Sequence, residues 1–213
     1  MRALVTGASS GIGKAIYDHL LMKRDFEVCG MSRRGPDVVL DLTDDLKTQI
    51  ELDNLEDPFN CVVLNAGMLS FNEPEDWERI FRTNLHFNWL FLEAWAPQLV
   101  TLGGSIIINA SVAGVLGEAE LPLYAAMKAG LINMTRSYAK RYMKDGIRVN
   151  AFSCGFFRTN LCGPGPIPQG LINTIPMRRE AEPEEILPVI DMLIDCKYIT
   201  GQNIIVDGGL SIK

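Results

Sequence analysis

Arg2-Ala-Leu-Val-Thr-Gly-Ala-Ser-Ser-Gly-Ile-Gly13 is the stretch that decides the fold. Residues 2–6 read as a short buried strand. They run into a turn built on Gly7, Gly11 and Gly13. A helical pattern then extends to about Lys23, with Ile12, Ile16, Leu20 and Lys23 on successive turns. A strand, a glycine-rich turn and a helix in that order form the phosphate-binding arrangement of dinucleotide folds. The glycines let the backbone come close to a pyrophosphate, and the helix N-terminus presents N–H groups that no carbonyl has taken. The spacing is Thr-Gly-x-x-x-Gly-x-Gly rather than Gly-x-Gly-x-x-Gly. A glycine pattern alone is weak evidence, and its place at the first strand-to-helix junction strengthens it.

Outward from this unit the chain keeps alternating. Further strands are predicted at residues 26–31, 38–40, 59–64, 104–109, 147–152 and 203–207, which makes seven. Helices are predicted up to about residue 52, over 74–102 with a kink at Pro97, over 124–144 and over 184–196. Apolar strands that alternate with helices imply an α/β fold: a parallel sheet covered on both faces. Residues 155–181 are rich in Gly and Pro, including Pro164, Pro166, Pro168 and Pro176. That stretch reads as a long functional loop, a lid within one domain and not a boundary between two.

Composition narrows the function. The chain has 213 residues, 47% hydrophobic and 22% charged, with a formal net charge of -6. Without a basic stripe, nucleic acid is not expected as a partner. Five widely spaced cysteines, Cys29, Cys61, Cys154, Cys162 and Cys196, contain no Cys-x-x-Cys. Neither a disulfide framework nor a metal site is expected, and a reducing, cytoplasmic compartment fits. No signal peptide and no transmembrane helix are expected.

Tyr124-Ala-Ala-Met-Lys128 carries the chemistry, with Ser111 just beyond a buried strand. On a helix, Tyr124 and Lys128 leave the same face one turn apart. A phenol has a pKa of about 10, so acid or base work near neutrality needs a shift of about three units. An ammonium at about 4 Å supplies an energy of that order at an effective dielectric of about 20. The spacing therefore predicts a lysine that makes the tyrosine acidic. Tyr-x-x-x-Lys is also a common helix-surface pair, so the motif needs support from the rest of the chain.

That support is a resemblance covering almost the whole chain. Thr6-Gly-Ala-Ser-Ser-Gly-Ile-Gly13, Asn65-Ala-Gly67, Thr83-Asn-Leu85, Ser111, Tyr124 with Lys128, Arg148-Val-Asn150, Gly155-Phe-Phe-Arg-Thr159, Tyr198-Ile-Thr-Gly201 and Val206-Asp-Gly-Gly209 occur in the order found in short-chain dehydrogenases/reductases. The chain resembles the classical branch of that family, especially its 3-oxoacyl-(acyl-carrier-protein) reductases. The resemblance implies a Rossmann-type, doubly wound, seven-stranded parallel sheet in a single domain spanning 1–213. It implies hydride transfer between a nicotinamide and a carbonyl or secondary alcohol. It also implies a catalytic tetrad. Tyr124 would exchange the proton, Lys128 would lower the tyrosine's pKa and bind the nicotinamide ribose, Ser111 would stabilise charge on the substrate oxygen, and Asn84 would hold a water linking Lys128 to solvent. The implied cofactor contacts are Gly7, Ser9, Ser10, Gly11, Ile12, Gly13, Asn65, Ala66, Gly67, Gly155, Phe157 and Thr159, together with Tyr124 and Lys128. Asp41 and Leu42 would flank the adenine, although Asp41 could equally cap a helix. Where the family usually has proline, this chain has Cys154.

The second strand selects the cofactor. About 20 residues past the glycine turn the chain reads Ser32-Arg33-Arg34, with no carboxylate for a ribose hydroxyl. A guanidinium suits a 2′-phosphate, so NADP is expected over NAD, with Arg33 the first contact and Arg34 the second. Phe156, Phe157, Leu161 and Ile167 in the lid suggest an apolar or mixed substrate. His19 and His86 look structural, and Trp77, Trp89 and Trp95 look like core or interface residues. The apolar face around residues 87–95 suggests a homotetramer, or else a dimer. The alternative to an enzyme is a non-catalytic NADP-binding sensor or scaffold of the same fold. The filled tetrad favours the enzyme.

Overall fold

The computed structural model describes residues 1–23, 25–55, 57–163 and 165–212, with the backbone alone of Leu46, Leu99 and Leu102. Pro164, one of the prolines read into the lid, lies outside the described residues. Seven strands form one sheet: β1 (Arg2–Thr6), β2 (Glu27–Ser32), β3 (Val38–Val39), β4 (Phe59–Leu64), β5 (Val100–Asn109), β6 (Arg148–Cys154) and β7 (Asn203–Val206). Their order is β3-β2-β1-β4-β5-β6-β7, and every described pair is parallel. The direction of winding reverses between β1 and β4. In such sheets the crevice for ligands opens there, outside the carboxyl ends of the strands.

The sheet divides the core in two because alternate strand residues face opposite sides. Leu4, Val62, Leu64, Ile106, Ile108 and Val149 pack on one side. Ala3, Val5, Cys61, Val63, Ile107 and Phe152 pack on the other. The first side is covered by α2 (Asp45–Asp53), the helical run α3 (residues 73–99) and α5 (Pro122–Tyr142). The second is covered by α1 (Gly11–Met22) and α7 (Leu187–Asp195). Short helices α4 (Ala113–Leu116) and α6 (Gln169–Ile172) lie between. The sequence reading did not contain them, because one turn of helix leaves no periodic signal.

α3 departs from expectation in two ways. It stops at Leu99, and Val100 already belongs to β5, so the predicted helix overran by three residues. It also widens twice into π turns, at Arg82–His86 and Phe91–Trp95. The second ends just before Pro97, whose missing N–H and bulky ring suit a helical restart better than an unbroken ladder. The apolar face expected to be in excess around residues 87–95 is mostly used up inside. Phe87, Phe91, Leu92 and Trp95 are buried, and Trp95 Nε1 donates to Asp53 at 2.9 Å. Trp77 and Trp89 are the exposed tryptophans. His19 bonds Asp191, and His86 stacks on Phe81, so both histidines sit in structural contacts.

Arg148 anchors the second layer. Its buried guanidinium donates to the carbonyls of Leu193 and Ile194 at 2.6 and 2.8 Å, which terminates α7. Among the described residues no helix is long and apolar enough to cross a membrane. No group of three or more His, Cys, Asp or Glu there could hold a metal ion.

Candidate active site

The candidate residues converge at the carboxyl edge of the sheet because each ends or directly follows a central strand. Thr6 ends β1, Asn65 follows β4, Asn109 ends β5 and Gly155 follows β6. A chain of hydrogen bonds joins the first three. Thr6 Oγ1 accepts from the N–H groups of Asn65 and Ala66 at 2.9 and 3.0 Å. Asn65 Nδ2 donates to Thr6 O at 3.1 Å, and Asn109 Nδ2 donates to Asn65 Oδ1 at 2.9 Å. Lys128 Nζ then donates to Asn109 O at 2.8 Å. Asn109 was absent from the sequence reading. Its signal was its place at the end of the fifth strand, two residues before Ser111.

The glycine turn is shaped for a close ligand. Gly7 and Gly11 have φ of +71° and +54°, a region costly for side chains other than glycine. A Cβ on Gly13 would lie 2.3 Å from Gly7 O and 2.4 Å from Asn65 Nδ2, so only glycine fits. Ser10 caps α1 without a side-chain hydrogen bond, and no acid occupies the first turn. The positive end of the helix dipole is thus left to a bound anion, which is the fit a dinucleotide pyrophosphate requires. Thr159 reaches the turn from the lid, because a Cβ on Gly11 would come within 3.1 Å of its Cγ2. Arg33 and Arg34 are exposed at the end of β2, and among the described residues neither has an ion-pair partner.

Tyr124, Lys128, Ser111 and Asn84 are all buried, at 7%, 3%, 8% and 0% exposure. Lys128 Nζ lies 5.6 Å from the centroid of the Tyr124 ring. A Cβ placed on Gly67 would meet Asn84 Oδ1 at 3.0 Å and Lys128 Nζ at 3.5 Å, so these three positions share one small space. Asn84 lies in the first π turn of α3. Its Nδ2 donates to Met68 O at 2.7 Å and Ile80 O at 3.0 Å, and its Oδ1 accepts from Met68 N at 3.2 Å. It fastens the loop after β4 to a widened helix. Ser111 Oγ accepts from Ala113 N at 3.1 Å, which holds the turn into α4.

Burial dominates the electrostatics of the pair. Burial pushes the Tyr124 phenol well above its ordinary value, the Ser111 hydrogen bond opposes this, and nearby Cys154 and Cys162 add to it. Burial also pushes the Lys128 ammonium down, to about 8. The Lys128 amine donates to Asn109 O and lies over the Tyr124 ring. Cys154 is buried too, and its thiol is pushed up to about 12.

Several side chains among the expected cofactor contacts make local contacts of their own. Ser32 Oγ donates to Gly35 O and accepts from Arg34 N at 3.3 Å, so it holds its own turn. The side chains of Leu42 and Phe157 pack in the two halves of the core. Asp41 does not cap α2; that cap is Asp44, which accepts from Lys47 N. Asp41 instead accepts from Thr43 N and Oγ1 at 3.0 and 2.9 Å. Burial would raise its pKa, but these bonds and the charge of Arg33 hold it below the usual carboxylate range. Gly155 packs against Asp207, where a Cβ would come within 2.8 Å of Cα.

A doubly wound sheet with a glycine turn at its first helix and a buried Tyr-Lys pair over the crevice defines a dinucleotide-dependent oxidoreductase. Comparison with known proteins gives the same class. The family model described as enoyl-(acyl carrier protein) reductase matches residues 36–211. A carbonyl reductase family member 4 from Danio rerio is 31% identical over 99% of this chain and 98% of its own length. The 3-oxoacyl-(acyl-carrier-protein) reductase FabG of Thermotoga maritima is 32% identical over 98% of this chain and 97% of its own length. A solved short-chain dehydrogenase family protein from Francisella tularensis superposes with a TM-score of 0.90 at 26% identity, covering 100% of this chain and 99% of that one. The chain belongs to the short-chain dehydrogenase/reductase family of NAD(P)-dependent oxidoreductases.

The buried lysine makes stability depend on pH. Its folded value of about 8 lies below that of an unfolded lysine, roughly 10.4. Between the two values the unfolded chain holds the extra proton. Stability is therefore fullest above the unfolded value and is lost as pH falls through 8. Urea unfolding of the wild type should gain up to about 3 kcal/mol relative to Lys128→Met between pH 8 and 10. Parallel curves for the two proteins would contradict this.

Proposed function

We propose that the chain is an NADP-dependent carbonyl reductase acting on a ketone or 3-oxoacyl thioester. The single observation that carries it is the gathering of Tyr124, Lys128, Ser111 and Asn84, all buried, at the crevice beside Gly67. A phenol beside a substrate oxygen can serve as general acid for a carbonyl that is becoming an alkoxide, and as general base in the reverse direction. The nicotinamide, when bound, supplies the hydride. Tyr124 gives its proton to the substrate oxygen, and Ser111 offers a hydroxyl to the charge forming there. Lys128, held by Asn109 O, sits where it can bind a ribose and return a proton to the phenol. Asn84 sets the shape of the pocket beside Lys128 and, through a water, would link it to solvent. The whole chain acts as one domain, with residues 155–181 as the lid over the substrate.

NADP is favoured by Arg33 and Arg34, which are exposed and carry no carboxylate partner within the described residues. Solved relatives hold either cofactor, NADH in a 4-hydroxyisoleucine dehydrogenase and NADPH in a blue fluorescent protein from a metagenomic library. The choice therefore rests on this chain's own residues. The 3-oxoacyl class is favoured by the similarity to FabG. A cytoplasmic homotetramer is the proposed state, with the exposed Trp77 and Trp89 of α3 at a subunit contact. A scaffold that only senses NADP would not need the buried Tyr-Lys-Ser arrangement.

Three measurements test this reading. Tyr124→Phe should lower turnover at least a thousandfold and leave NADPH affinity within twofold, assayed on a panel of acetoacetyl thioesters, diketones and aldoses. Full activity in that variant would remove the assigned role. Arg33→Asp should weaken NADP binding tenfold or more while leaving NAD binding unchanged; equal affinities throughout would defeat the NADP assignment. Light scattering should give the mass of four chains, or of two for a dimer, and a monomer's mass would refute the oligomer.

A further inference from the structure

We infer that Glu73 is a positioning residue for the proposed reaction, holding Tyr124 through the backbone of the helix that carries it. The inference rests on the reading of Tyr124 as the proton donor. α5 begins without a cap of its own, since Leu121 at its N-cap has no side-chain acceptor. Pro122 follows and has no N–H to satisfy. The next two N–H groups, Leu123 and Tyr124, both donate to Glu73, at 2.9 Å to Oε2 and 2.8 Å to Oε1. Ala125 N then reaches Leu121 O at 2.9 Å, and the ordinary ladder starts. One carboxylate, 50 residues earlier in the chain, does for α5 what a local Ser or Asp does for most helices.

The place of this bond suggests more than general stability. First-turn residues are the ones that fray, and Tyr124 is in the first turn. Loosening that turn moves the phenol relative to Ser111 directly, and misplacement of about 1 Å is enough to cost a reaction a hundredfold. Glu73 is only 7% exposed, so the carboxylate is held out of water at the positive end of the helix dipole. It is also the first residue of α3, the element that carries Asn84. Through Asn84 the same element grips Met68, just past Gly67. Glu73 thus fixes the helix bearing Tyr124 and Lys128 against the loop and helix bearing Gly67 and Asn84.

The test uses Glu73→Gln, Glu73→Asp and Tyr124→Phe, assayed with NADPH and the best carbonyl of the panel above. NADPH affinity is measured by fluorescence and the folded fraction by urea unfolding. Glutamine keeps the size and one acceptor but turns an amide donor toward the second N–H. Glu73→Gln should lower kcat at least tenfold with NADPH affinity within twofold, and Glu73→Asp, too short to reach both N–H groups in place, should recover part of that loss while staying at least threefold below wild type. A folded Glu73→Gln with kcat within twofold of wild type overturns the inference. So does a loss of kcat and NADPH affinity together, in step with the folded fraction. If Glu73→Gln does not fold, Glu73→Asp decides: a threefold or larger fall in kcat at unchanged NADPH affinity supports the role, and an unchanged kcat refutes it. Full turnover in Tyr124→Phe would instead remove the reading beneath it, whereas an inactive Tyr124→Phe beside a fully active Glu73→Gln removes Glu73 alone.

Discussion

Lys128 holds the carbonyl of Asn109, and much of the site depends on that bond. A buried ammonium without partners is costly to keep charged, so its position follows the nearest good acceptor. Here the acceptor is the last residue of β5, itself tied through Asn65 to the last residue of β1. The lysine is thus registered to the sheet and not only to its own helix. Any shift of β5 against β1 would be transmitted to the amine.

Much of the fold was legible because parallel sheets leave a plain record. All seven strands were found, since runs such as residues 104–109 are apolar on both faces and bounded by polar or glycine residues. The overrun of α3 into β5 has a simple cause. Residues 97–102 contain Leu and Val suited to either state, and the step from one to the other lies in the backbone path. The π turns were invisible because they change no residue type. They are stabilised by bonds such as Asn84 Nδ2 to Ile80 O, which only the folded chain reveals.

The candidate site was legible in its residue types more than in their roles. Tyr124, Lys128, Ser111 and Asn84 do come together, and the glycine turn has the backbone angles its sequence suggested. The side chains of Ser32, Leu42 and Phe157 show what residue type alone leaves open. Proximity in sequence to a binding loop does not say which way a side chain turns, and burial or a local turn claimed each of them. Glu73 and Asn109 were missed because their partners lie far away in the chain.

The two widened turns of α3 set the phase of everything after them. Each adds about one residue to a helix of 3.6 residues per turn, a rotation of roughly 100° for all that follows. With both in place, Asn84 looks into the crevice while Phe87, Phe91 and Trp95 look into the core. An α3 shortened by one residue at either widening would be a more regular helix and a worse fit, because its greasy stripe would wind away from the sheet toward water. An insertion or loss within this rod would therefore turn its apolar stripe, which a change in a flanking loop would not.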